Sequence, residues 1–141
     1  MEENIETKDP VVEEKPTEPI ENSILNDIKS MLGPSYDDNS FDTDIIIYIN
    51  SIFTILRQLG VGPVTGYRIK DSNNIWSEFV KDEEMLDAVK MYIYLKVKLT
   101  FDPPLNASLV ESFTNQAKEL EWRLNVSVES DPIGGENNGN K

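Results

Sequence analysis

The stretch "FDTDIIIYINSIFTILRQLG", from Phe41 to Gly60, constrains the fold more than any other part of the chain. It opens with acids, turns almost wholly apolar and stops at a glycine. Asp42 or Thr43 stands where a helix cap is expected, Asp44 favours the positive end of the helix dipole, and Gly60 closes the helix. Ile45, Ile49, Ile52, Phe53, Leu56 and Leu59 recur at helical spacing. Ile46, Ile47, Tyr48 and Ile55 spread apolar surface around most of the remainder. Such a helix must be central in its fold, wrapped by its companions, or must share part of its surface with another copy. It is too short to span a bilayer.

Three further helical signals are available to surround it. "SILNDIKSML" has Ser23 as N-cap, Gly33 as stop and Pro34 forbidding continuation, with Ile24, Leu25, Ile28, Met31 and Leu32 as its apolar face. Asp82 caps a long helix, "EEMLDAVKMYIYLKVKLTF", that ends at the Asp102–Pro104 triplet. Its second half, rich in β-branched and aromatic residues, also admits a strand; the upstream acids and the length favour a helix. The last helix runs from about Asn106 to Asn125, with Leu109, Phe113, Ala117, Leu120 and Leu124 on one face. "NVSVES" then alternates polar and apolar residues and is a candidate short strand wherever a sheet edge is offered. Between helices two and three, Val61 to Ile75 is rich in Gly, Pro, Asn and Asp. It admits a loop or a small hairpin around Asp71 to Asn74, the loop being favoured, with one helical turn at Trp76 to Val80. The expected fold is therefore all-α: a small bundle of about four helices with one long loop or short hairpin between the second and third.

Flexible acidic tails flank that bundle. Met1 to Asn22 holds eight acids, two lysines and three prolines, with no apolar period. It cannot bury enough surface to offset its ordering entropy, so residues 1–22 are expected to be a disordered arm. Residues 23–128 form the helical domain, and residues 129–141, rich in Gly and Asn, a flexible tail. The opening residues lack the basic start and apolar core of a signal peptide, which makes an intracellular protein the expectation.

Charge and composition narrow the function. The net charge of −13 argues against non-specific nucleic-acid binding and against docking on an anionic membrane. With no cysteine and no histidine, thiolate chemistry and the commonest neutral-pH base and metal ligand are excluded. Carboxylate pairs such as Asp37–Asp38, Asp42–Asp44 and Glu83–Glu84 sit at helix starts or turns, where acids cap and solubilise; a glycosidase pair is the weaker reading. "DDNSFDTD" has oxygen ligands but lacks the central glycine and the twelfth-position Glu of a calcium loop. "GVGP" at Gly60 to Pro63 follows a helix and lacks the Lys-Ser/Thr of a phosphate loop. The bases are dispersed. Trp76 and Trp122 read as core or interface anchors. Trp122 falls off the main stripe of its helix, so packing on helix three and contact with another subunit are both open.

Taken in order, "SILNDIKSMLG", "DDNSFDTDIIIYINSIFTILRQLGVGP", "AVKMYIYLKVKLTFDPP" and "KELEWRLNV" resemble a family of small helical proteins of tailed phages, the head–tail connector or adaptor proteins. The resemblance covers Ser23 to about Glu129 and rests on block order and spacing. It implies a homo-oligomeric ring, typically of about 12 copies, beneath the portal protein at the capsid vertex. Such a ring extends the DNA channel, lets DNA pass without specific binding, and offers a platform for stopper or tail proteins. It implies a virion protein assembled in the host cytoplasm, with no enzymatic activity, no cofactor and no membrane. The C-terminal segment often reaches the portal's lower rim, which here assigns Val126, Ser127, Val128 and Glu129 to the portal, with "NVSVES" a candidate for strand addition. Tyr67, Arg68, Trp76 and Trp122 are then assigned to neighbouring subunits. The alternatives are another phage neck or tail-completion protein, or an acidic helical regulator of a basic host protein.

Overall fold

The computed structural model of the chain describes residues 18–130. The expected disordered arm and flexible tail therefore fall mostly outside the described residues. Four helices appear in chain order: α1 (Ile24–Leu32), α2 (Asp42–Gln58), α3 (Glu83–Phe101) and α4 (Ala107–Ser130). Among the described residues there is no strand, and the all-α expectation is met.

Local chemistry explains most boundaries. The Ser23 hydroxyl accepts from the Asn26 amide, and Gly33, at φ +117°, returns its amide to the Lys29 carbonyl. That left-handed stop costs a glycine nothing. The Asp82 carboxylate accepts from the Met85 amide at 2.7 Å and starts α3. Asn106 does the same for α4 through the Ser108 amide. The strand alternative for "YIYLKVKLTF" is not realised, since a capped helix already runs into it from upstream. At α2 the expected cap fails: Phe41 holds the N-cap position and no side chain caps it. Asp42 is instead engaged by Lys29 of α1, an ion pair of 2.8 Å.

α2 and α3, and then α3 and α4, pack as antiparallel neighbours. Phe41, at the start of α2, meets Phe101, at the end of α3, edge-to-face at 5.4 Å. Tyr92 of α3 donates to Glu121 of α4 at 2.9 Å, and burial together with that carboxylate pushes the Tyr92 phenol well above its usual range. The turn between α3 and α4 is the "DPPLN" segment. Ile45, Ile49, Ile52, Phe53 and Leu56 are all buried, as the stripe on α2 required. Yet α2 is not the hub. α3 packs against each of the other three helices, while α2 leans chiefly on α3 and α1. The extra apolar residues of α2 are largely covered too: Ile46, Tyr48 and Ile55 pack against the core edge, and Ile47 alone among them is exposed.

The long connection is a pinned loop. Asn50 of α2 donates to the Ile69 carbonyl and accepts from the Ile69 amide, at 3.0 and 2.8 Å, serving as a one-residue strand partner. Asn74 accepts from the Lys70 amide with its side chain, so the Asp71–Asn74 turn closes without a hairpin ladder. Backbone bonds from Ile24 to Asn74 and from Trp76 to Asn22 clamp the loop against the entrance to α1. Residues just before Ser23 therefore belong to the helical body, ahead of the boundary that composition suggests. Gly62 sits at φ +89°, and a Cβ there would lie 2.2 Å from the Phe79 ring. Gly62→Ala is expected to cost about 3 kcal/mol through strain and overpacking, read as a lowered thermal midpoint.

Candidate functional site

The grooves among the described residues are shallow and open, lined by scattered polar and apolar side chains. Among the described residues no group of three or more carboxylates is arranged to hold a metal ion. The acids of the former calcium candidate have local tasks. Asp38 accepts from Ser40, and those hydrogen bonds hold its carboxyl below the usual range; Asp42 pairs with Lys29. No described helix is long and apolar enough to cross a membrane.

The residues assigned to neighbouring subunits separate into two kinds. Trp76 is 1% exposed and belongs to the chain's own core, which corrects its assignment to a subunit contact. Its indole N–H donates to Asp27 of α1 at 2.7 Å, Lys90 of α3 bonds the same carboxylate oxygen, and the Lys90 ammonium stands 5.3 Å from the ring centroid. An indole ties three elements together here because it offers a large apolar face and one donor. Tyr67 is half-buried against Phe53 and Phe79. Its hydroxyl donates to Glu78 at 2.8 Å. Burial raises the phenol pKa, and the tyrosine bond lowers that of Glu78. Arg68, by contrast, is exposed, and so is Arg57 across the shallow groove over Phe53 and Tyr67.

Trp122 has 66% of its surface exposed. Most of the ring is thus left open to solvent. It lines a shallow depression with Leu59, Lys118 and Asn125, where the end of α2 approaches α4. An exposed tryptophan on an otherwise polar helix face is typical of an interface anchor. Trp122→Ala is expected to change stability by less than about 1 kcal/mol, as for a surface position, while weakening any contact that uses the ring. Equal unfolding midpoints with reduced incorporation into assemblies would be the signature.

The segment assigned to the portal is helical. α4 continues through Val126, Ser127, Val128 and Glu129 to Ser130, five residues beyond the expected end and not as a strand. Leu124 and Val128 extend the stripe at four-residue spacing, and no Gly or Pro intervenes before Pro132. Val128 is half-buried, its Cγ1 only 2.9 Å from where a Cβ on Gly60 would be. Only Ser127 and Glu129 of the four are exposed. Further apolar residues lie open at the α3–α4 turn, where Leu105 is fully exposed and Leu109 half so.

Residues 24–131 match the family model described as "phage connector protein". The match takes in all four helices. No curated protein and no solved structure matches the chain.

Proposed function

The chain belongs to the phage connector protein family, and from that premise we propose that it is a head–tail adaptor. Copies form a ring beneath the portal, extend the DNA channel and present a platform to the stopper or tail. The observation that carries this reading is the family match across the whole helical body. Three properties support it. Exposed anchors such as Trp122, Leu105 and Ile47 give the body several separate surfaces for neighbours. The net charge of −13 suits a channel wall past which DNA must slide, since like charge opposes adhesion. Side-chain caps at the starts of α1, α3 and α4, with the long connection pinned to α1 and α2, make a stiff part for a joint between larger rings.

In this arrangement the last turn of α4, with Ser127 and Glu129 outward, leads residues beyond Ser130 toward the portal. The contact is made by the helix end together with the residues after it. The test is direct. Purified full-length chain is mixed with its portal and imaged by negative stain; an added ring of density on the portal's lower face is expected, and a bare portal contradicts the proposal.

A further inference from the structure

A groove beside the end of α2 carries two arginines in a chain of net charge −13. Arg57 and Arg68 stand on either side of it, both exposed, and Phe53 and Tyr67 form its floor. Arg57 is held in place by its own Nε, which donates to the Val64 carbonyl at 3.1 Å. Neither arginine has a carboxylate within ion-pair reach among the described residues. A groove with two exposed guanidinium groups, that of Arg57 held in place, beside aromatic rings fits a carboxylate-rich occupant.

A carboxylate-rich surface is offered by the start of α3. Asp82, Glu83, Glu84 and Asp87 are exposed on and before the first turns of α3, and none is in an ion pair among the described residues. Lys81 offsets one of the four charges. Asp82 and Glu84 border a shallow groove toward α4, whose Arg123 is already engaged by Glu119 at 2.7 Å.

We infer that these two surfaces meet between copies: the acidic start of α3 in one subunit docks into the Arg57–Arg68 groove of the next. This rests on the ring reading above and names its interface. Two different patches of one chain that attract each other make a head-to-tail contact, the kind that closes into a ring. Patches of one sign meeting across a twofold axis would repel.

The absence of cysteine makes the test clean. Necks are assembled with the full-length double variant Arg68→Cys/Glu84→Cys, oxidised, and run on a non-reducing gel. A ladder of dimers, trimers and higher species is expected, with each single variant giving monomers. Monomers alone from necks that still show the ring would overturn this interface and leave the adaptor reading standing; this is also the result if residues 1–17 or another acidic partner fill the groove. Dimers from the single Arg68→Cys variant would overturn it in favour of a twofold contact. Absence of the chain from necks would overturn both. A charge swap tests the same contact without disulfides. Arg57→Glu/Arg68→Glu copies and Glu83→Lys/Glu84→Lys copies should each fail to assemble alone and should assemble when mixed; failure of the mixture, with both variants folded, counts against the inference.

Discussion

Replacing Trp76 by alanine lowers the stability of the chain by about 3–5 kcal/mol, the range for removing a large buried aromatic. Single domains have only about 5–15 kcal/mol to lose, so the variant should be partly unfolded near body temperature. The size follows from position. The ring is buried where α1, α3 and the long connection converge, and its N–H is satisfied by Asp27, which Lys90 also holds. Deleting it leaves a cavity bounded by three elements and two charged groups without their shared partner. Asp27→Ala should cost less, about 1–3 kcal/mol, because it leaves the packing and orphans one buried donor. Chemical denaturation of the two variants checks both the sizes and their order. Equal effects would show that the hydrogen bond, and not the ring's volume, fixes this junction.

The second large effect is expected at Lys29. This lysine is 1% exposed on the buried side of α1, and its ammonium is satisfied by the Tyr36 carbonyl at 3.1 Å and by Asp42 at 2.8 Å. Asp42→Ala removes the counter-charge and strands an ammonium inside the protein. The expected loss is about 3 kcal/mol, at the low end for breaking a buried pair because Asp42 itself keeps some contact with water. Lys29→Met should be milder. It leaves the carboxylate partly hydrated and replaces the ammonium by an apolar chain of similar length. The double variant Lys29→Met/Asp42→Ala should recover part of what Asp42→Ala loses, since no charge is then buried unpaired. A thermal series of the three variants reads this directly. A double variant that is the least stable of the three would mean that the pair adds net stability beyond cancelling its own burial.

Both residues bear on what the sequence discloses. The helices were legible because their signals are local: Ser23, Gly33, Asp82, Asn106 and the apolar stripes each act within a few residues of themselves. Lys29 was less so. It falls among Leu25, Ile28 and Leu32 on the apolar face of α1, a placement that flags a buried charge, but its partner lies in another helix thirteen positions on. Pairing of that kind depends on how elements meet. The same holds for Asn50, a single amide on the apolar side of α2, whose purpose is visible only once Ile69 lies across it.

Where local patterns misled, a tertiary contact had overridden a local preference. Asp42 has the chemistry of a cap, yet the buried ammonium nearby claims it. "NVSVES" has the alternation of a strand, yet Val128 falls four residues after Leu124, and the helix gains by carrying it onto Gly60. The apolar girth of α2 suggested the centre of the fold, whereas α3 occupies it; the excess on α2 covers the edges of its neighbours. Trp76 and Trp122 look alike in sequence and end as opposites, one in the core and the other in the open. Composition cannot divide them, because an indole suits both places. The basic groove escaped notice because Arg57 and Arg68 lie eleven positions apart, on a helix and a loop, and are joined only by the turn around Gly62 and Gly66.

Imaging of the assembled phage neck at side-chain resolution tests the central claim most directly. The account predicts a ring of this helical body directly under the portal, each copy presenting the α2 groove to the start of α3 in the next, with the end of α4 turned toward the portal. A neck whose density at that level is filled by another protein, with this chain elsewhere in the particle or missing from it, would contradict the account.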